Sequence, residues 1–247
     1  MKPTLKPFAF AFLLLATSSL TFAGSVKIPL AHSSIETQDR KLSGFHALAS
    51  SGSFDVVLSQ GNTESVRVKA DADVINEVVT EVKNGTLMIH SKNNHSWGTG
   101  NFWNNKTVTI YVTAKDLNSI GVSGSGDLKI ENQFNTNNLQ LRLSGSGDFS
   151  GKVNVKTLEA AISGSGDFKI AGRADESNVA ISGSGDFDGN GLMTKSTAIR
   201  ISGSGDASIY ASEKLDASVS GSGDIRYSGH PKNVSKVVHG SGDVSGS

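Results

Sequence analysis

The pentapeptide Ser-Gly-Ser-Gly-Asp begins at Ser123, Ser144, Ser163, Ser182, Ser202 and Ser220, and a variant closes the series at His239-Gly-Ser-Gly-Asp243. The steps between starts are 21, 19, 19, 20, 18 and 19 residues. A fixed period near 20 implies a repeat architecture, because a unit that small buries an apolar face only against its neighbours. Of the 28 glycines, 14 lie inside the seven motifs, so glycine here is architectural rather than the mark of a flexible linker.

Residues flanking each motif alternate with period two, the pattern of a half-buried strand. The residue before the motif is always aliphatic: Val122, Leu143, Ile162, Ile181, Ile201, Val219 and Val238. Two positions earlier stand Ile120, Leu141, Ala160, Val179, Ile199 and Ala217, and then Lys236 breaks the series. After the aspartate come Leu128, Phe149, Phe168, Phe187, Ala207, Ile225 and Val244. Carried through the motif as one strand, this parity turns both serines and the aspartate outward and both glycines inward. Inward glycine fits where backbone must approach the interior closely. Asn-, Lys- and Gly-rich segments such as 131–138 and 172–178 read as turns to the next level.

These features predict an all-β chain, a single-stranded parallel β-helix (solenoid) with coils of about 20 residues and an irregular N-terminal β portion. An antiparallel meander is the alternative, but motifs recurring at one phase suit parallel stacking. Strands stacked about 4.8 Å apart would set the seven motifs in ladders spanning roughly 30 Å.

The expected organisation is a signal peptide over 1–23, a polar leader over 24–41 and a β-helix domain over 42–247. Within that domain, 42–117 holds irregular coils with an insertion at 91–106, and 118–247 holds the regular repeats. Lys2 and Lys6 precede an apolar run from Phe8 to Leu15 and a small-residue stretch ending at Ala23, the layout of a secretory leader cut after Ala23. The run is too short for a spanning helix, and no transmembrane segment is expected in the mature chain. Ser51-Gly52-Ser53-Phe54-Asp55 is a degraded motif, Gly61-Asn62 and Asn84-Gly85 are turns between strands, and 71–82 has room for a helical turn before another strand.

Composition narrows the chemistry. The whole chain has 23 basic and 23 acidic residues; without Lys2 and Lys6 the balance is 21 against 23, or −2. No basic stripe points to nucleic acid. The absence of cysteine excludes disulfides, thiol catalysis and a lipid-modified cysteine. Paired-carboxylate hydrolysis needs unlike groups converging on one spot, whereas Asp127, Asp148, Asp167, Asp186, Asp206, Asp224 and Asp243 form one uniform column. No enzyme activity and no bound cofactor are expected from such a set.

A column of carboxylates needs an offset. Neighbours about 4.8 Å apart repel by roughly 1 kcal/mol in water and roughly 3 to 4 kcal/mol at an effective dielectric near 20. Calcium is one candidate partner for the seven aspartates; serine hydroxyls and glycine N–H groups are the other. The hydroxyls of Ser123, Ser125, Ser144, Ser146, Ser163, Ser165, Ser182, Ser184, Ser202, Ser204, Ser220 and Ser222 form a candidate surface ladder for a glycan or protein ligand. The insertion offers a second candidate contact through His95, Trp97, Phe102 and Trp103, residues that would otherwise cover the open first coil. Carbohydrate cleavage or lectin-like binding through this insertion is the alternative function. The final coil, 236–247, lacks an evident cap, so weak self-association through its edge is expected.

The stretch from Phe45 to Gly61, the Val66-Val68-Ala70-Asp71 strand, Asn84-Gly85-Thr86-Leu87, the Val108-Ile110-Val112 strand and the iterated motif together resemble the auto-transporter adhesin head GIN domain family, over about 42–247. The resemblance implies a right-handed β-helix in an exported bacterial protein, periplasmic, outer-membrane-associated or extracellular, acting as a non-catalytic adhesin-like binding or scaffold module. An auto-transporter carries a C-terminal translocator barrel, and four residues follow Asp243, so no such barrel is expected here.

Overall fold

Leu143, Ile162, Ile181, Ile201, Val219 and Val238 sit side by side on consecutive strands, each paired in parallel with the next. Because the repeat is close to 19 residues, like residues superpose from coil to coil and the chain is a parallel β-solenoid of about seven turns. The structure is a computed structural model and describes residues 34–92 and 106–247. The proposed signal peptide lies outside the described residues.

The coils are built from up to three strand segments, separate in the first regular coil as Leu128–Ile130, Phe134–Asn135 and Asn138–Gly145. In the next coil they merge into one run, Phe149–Gly164. Inward positions are buried, and Phe149, Phe168 and Phe187 form a core ladder after the aspartates. Their rings meet edge to face, with centroids 5.2 and 6.3 Å apart. Such burial is the main stabilising term, about 1.5–3 kcal/mol for a side chain of this size.

The motif itself is a corner rather than a stretch of strand. Every strand before it ends at the first glycine, whose φ runs from +122° at Gly124 to +140° at Gly203 and Gly221. Only glycine takes that conformation without strain. Its carbonyl accepts two N–H groups from the next coil: Gly145 O takes Ser165 N at 2.9 Å and Gly166 N at 3.2 Å. The second glycine is buried, and a Cβ on Gly185 would stand 2.1 Å from Gly166 O. Period-two parity survives the corner because side chains still alternate while the backbone bends. The serines and aspartates face out and the second glycine faces in, but the first glycine is chosen for its φ and is only partly buried.

The degraded motif makes the first corner, between β2 (Ala47–Gly52) and β3 (Asp55–Gln60). Phe54 fills the second-glycine position there, where no earlier motif precedes it in the chain, and its ring is fully buried. The remaining N-terminal strands extend the two sheets meeting at this corner. β1 (Ile35–Arg40), β4 (Ser65–Asp71) and β7 (Val108–Ala114) continue the β3 sheet; β5 (Val78–Lys83) and β6 (Thr86–Ser91) continue the β2 sheet. β6 and β7 pair in parallel with β2 and β3, whereas β1 with β4, β4 with β7, and β5 with β6 are antiparallel. The β5–β6 hairpin turns on Asn84 and Gly85, at φ +51° and +73°, as a two-residue turn of this handedness requires. A 3-10 turn over Ile75–Glu77 follows β4, and buried Val74 and Ile75 join the core at this end.

One correction concerns the leader. Residues 35–40, read as part of a polar leader, are strand β1, paired along its length with β4. Its one large apolar residue, Ile35, is exposed, so the strand is held by backbone hydrogen bonds and by the Asp39–Arg67 ion pair at 2.6 Å, neither visible to hydrophobic periodicity.

At the opposite end, every residue of Asn233–Gly240 is exposed, including Val234 and Val238 in inward phase. Lys236 shares that phase; its Nζ donates to Val244 O at 2.9 Å and lies 4.7 Å from the Tyr227 ring centre.

Candidate functional site

The aspartates form a continuous hydrogen-bonded chain. Oδ1 of each accepts the backbone N–H of the aspartate one coil on: Asp55 from Asp127 at 3.2 Å, Asp127 from Asp148 at 2.9 Å, Asp148 from Asp167 at 3.0 Å and Asp167 from Asp186 at 2.8 Å. Asp186, Asp206 and Asp224 continue it to Asp243 at 2.7, 2.8 and 2.9 Å. The aspartate carbonyls are also used, Asp167 O accepting Phe149 N at 2.8 Å. Cations stand beside this column, with Arg226 3.8 Å from Asp224 and Lys169 3.6 Å from neighbouring Asp188. Among the described residues, no three His, Cys, Asp or Glu side chains are grouped to hold a metal ion.

The two serine columns flank the first glycine and are solvent-exposed throughout. Those opening each motif pair in register from Ser51 through Ser123, Ser144, Ser163, Ser182 and Ser202 to Ser220, with His239 next. The structure therefore brings serines and aspartates together as parallel outward columns along one edge of the solenoid. His95, Trp97, Phe102 and Trp103 lie outside the described residues.

Two further polar arrangements escaped the sequence reading. At the turn after β3, Gln60 N donates to Asn132 Oδ1 at 2.8 Å while Asn132 Nδ2 donates to Gln60 O at 2.9 Å. Asn135 N then donates to Gln60 Oε1 at 2.9 Å, and Asn154 Nδ2 to Asn135 Oδ1 at 3.2 Å. This amide ladder fastens the first coil to the regular ones; the Asn-rich turns were its only sequence signal. The second is an outer basin of about 410 Å³ on the sheet preceding the motifs, lined by residues that include Arg142, Glu159, Ala161, Asn178, Ala180 and Arg200. Fixing the repeat phase and reading the column two residues before each serine would have exposed it.

Surface ion pairs shift several groups. The hydrogen bond from Lys195, 2.8 Å away, holds the Asp175 carboxyl below its ordinary range. Lys83, and then His90, lower Glu81, and Lys106 lowers Asp73. All lie on exposed surface, where such pairs contribute little to stability.

A solenoid whose corners repeat one polar motif, and whose outer faces are regular exposed columns, belongs to the class of parallel β-solenoid repeat proteins. The chain belongs to the family described as "putative auto-transporter adhesin, head GIN domain", whose family model matches residues 44–231. Solved structures agree on the fold. A putative adhesin from Bacteroides fragilis, 24% identical, aligns with a TM-score of 0.79 over 87% of this chain and 97% of that one. A putative lipid binding protein from Parabacteroides distasonis, 28% identical, aligns at 0.69 over 87% and 98%. A putative adhesin from Parabacteroides merdae, 20% identical, aligns at 0.67 over 87% and 97%. No curated protein matches the sequence. No helix among the described residues is long and apolar enough to cross a membrane.

Proposed function

We propose that the chain is an exported, non-catalytic module of the bacterial cell envelope that binds a surface ligand, a glycan or a protein, in the manner of an adhesin. The observation that supports this best is the register of exposed serines from Ser51 to Ser220. A surface repeated at one spacing suits a partner that is itself repetitive, through many weak contacts acting together. Catalysis asks for unlike groups converging on one point, and the motif aspartates instead have like surroundings. The family description and the adhesin from Bacteroides fragilis favour the same reading. Export rests on the charged, apolar and small-residue layout of residues 1–23.

The test is to express the full chain in a bacterial host, fractionate the cells, and measure binding of the purified protein to envelope preparations. The expected result is a processed protein outside the cytoplasm that sediments with envelope material. Replacing Ser163, Ser182 and Ser202 by alanine removes the exposed hydroxyls and should weaken that binding without lowering the melting temperature. Retention in the cytoplasm, or no binding by the unaltered protein, would overturn the reading.

A further inference from the structure

Arg142, Ala161, Ala180 and Arg200 stand in parallel register on four adjacent strands, two residues before the motif serines. At about 4.8 Å per strand, the arginines are about 14 Å apart along the column. The alanines between them leave the floor of the basin of about 410 Å³. Ser163 and Ser182 border one long side, and Gln140, Glu159 and Asn178 the other. Gln140 Nε2 donates to Glu159 Oε2 at 2.9 Å and fixes that carboxylate. Among the described residues, neither arginine side chain has an ion-pair or hydrogen-bond partner. Two unpaired guanidiniums against one occupied carboxylate leave the basin positive at both ends.

We propose that this basin binds a short stretch of an acidic polysaccharide, of the uronic-acid kind. This deepens the reading above and rests on it. Guanidinium groups take carboxylates through paired parallel N–H bonds, which places two acidic sugars of one chain at Arg142 and Arg200. The sugars between them lie with their C–H faces on Ala161 and Ala180, their hydroxyls meeting Ser163 and Ser182 on one side and Asn178 and Glu159 on the other. An acyl chain is the poorer occupant, because two alanine methyls on an open sheet do not enclose apolar surface. A neutral glycan would leave both guanidiniums unmatched.

Calorimetric titration of the full-length protein compares three probes: a short oligogalacturonate, a malto-oligosaccharide of equal length, and phosphatidylglycerol vesicles. The expected result is binding of the oligogalacturonate alone, weakened by salt. The double variant Arg142→Ala/Arg200→Ala should lose at least about tenfold in affinity with an unchanged melting temperature. Arg142→Lys/Arg200→Lys should lose part of it through the lost paired geometry, and Arg226→Ala, on another face, none. Equal affinity for the neutral sugar, undiminished binding by the double alanine variant, or preferential binding of the vesicles would overturn the proposal. If the double variant still sediments with envelope material as strongly as the unaltered protein, the basin fails while the broader binding role stands. If the unaltered protein binds neither oligogalacturonate nor envelope material, both fall.

Discussion

Asp148 Oδ1 accepts the backbone N–H of Asp167 at 3.0 Å, so two like charges on adjacent coils are joined by a hydrogen bond. The motif aspartate thereby acts as a cap, closing the one backbone donor that the corner turns away from its strand neighbours. In a solvent-exposed column, repulsion between adjacent carboxylates is about 1 kcal/mol. A hydrogen bond to a charged group contributes about 1.5–3 kcal/mol, which is enough to make the ladder favourable without a bound cation.

Asp167 separates the role of the acceptor from that of the charge. It accepts from Asp186 at 2.8 Å while its own N–H is held by Asp148. Asp167→Ala removes the acceptor and should cost about 1 kcal/mol in urea unfolding. Asp167→Asn keeps an oxygen in place and relieves two repulsions, so it should fall within about 0.5 kcal/mol of the parent. An asparagine variant as unstable as the alanine variant would show that the charge itself matters.

Calcium gives a complementary readout. With Oδ1 of the motif aspartates from Asp127 to Asp224 engaged by backbone N–H, the ladder needs no cation, and millimolar calcium or a chelator should leave the melting temperature unchanged. A rise of several degrees with calcium, reversed by chelator, would make the column an ion site instead.

The second motif glycine leaves no room for a side chain. A Cβ at Gly185 would meet Gly166 O at 2.1 Å, and both atoms belong to stacked backbone that has nowhere to move. Gly185→Ala should cost about 3 kcal/mol or more. Gly121 is the control: its nearest contact would be Leu48 O at 3.9 Å, so Gly121→Ala should be neutral or stabilising by about 0.5 kcal/mol. Chemical denaturation of the two variants side by side checks the contrast.

Much of this was legible in the sequence, for a physical reason. Parallel stacking repeats one environment every coil, so the inward aliphatics from Val122 to Val219 and the outward serines declared themselves by phase, while the Asn84-Gly85 turn declared itself by its residue types. The corner did not, because side-chain alternation is blind to φ and continues through Gly145 as if the strand went on. β1 was hidden because an edge strand held by its backbone needs no apolar pattern. The Arg142–Arg200 basin was hidden because its residues are unlike one another, and a reading built on repetition passes over the column that does not repeat.

The Asp175–Lys195 pair, 2.8 Å apart, gives a pH signature. Lys195 lowers the Asp175 pKa in the folded state, so the pair's contribution is present at neutral pH and is lost as pH falls below the ordinary carboxylate value near 4. Lys195→Met should therefore lower the melting temperature slightly at pH 7 and make its fall in acid shallower, the difference from the parent shrinking as pH drops below about 4. An equal loss at pH 3 and pH 7 would mean that lysine packing, not charge, is at work.

Lys236 bears on association. It occupies an inward position where Ile199 and Ala217 stand on the preceding coils, and its ammonium reaches Val244 O and the Tyr227 ring. Beside it Val234, Val237 and Val238 are about 40% exposed, on a strand with one edge unpaired. An inward-pointing lysine is a recognised guard on such an edge, since another chain pairing there would have to bury the charge. Lys236→Val restores the apolar series and should shift sedimentation toward dimers and larger species relative to the parent at equal concentration. Lys236→Arg, which keeps the charge, should not. If the valine variant sediments like the parent, the lysine serves only to pack against Tyr227.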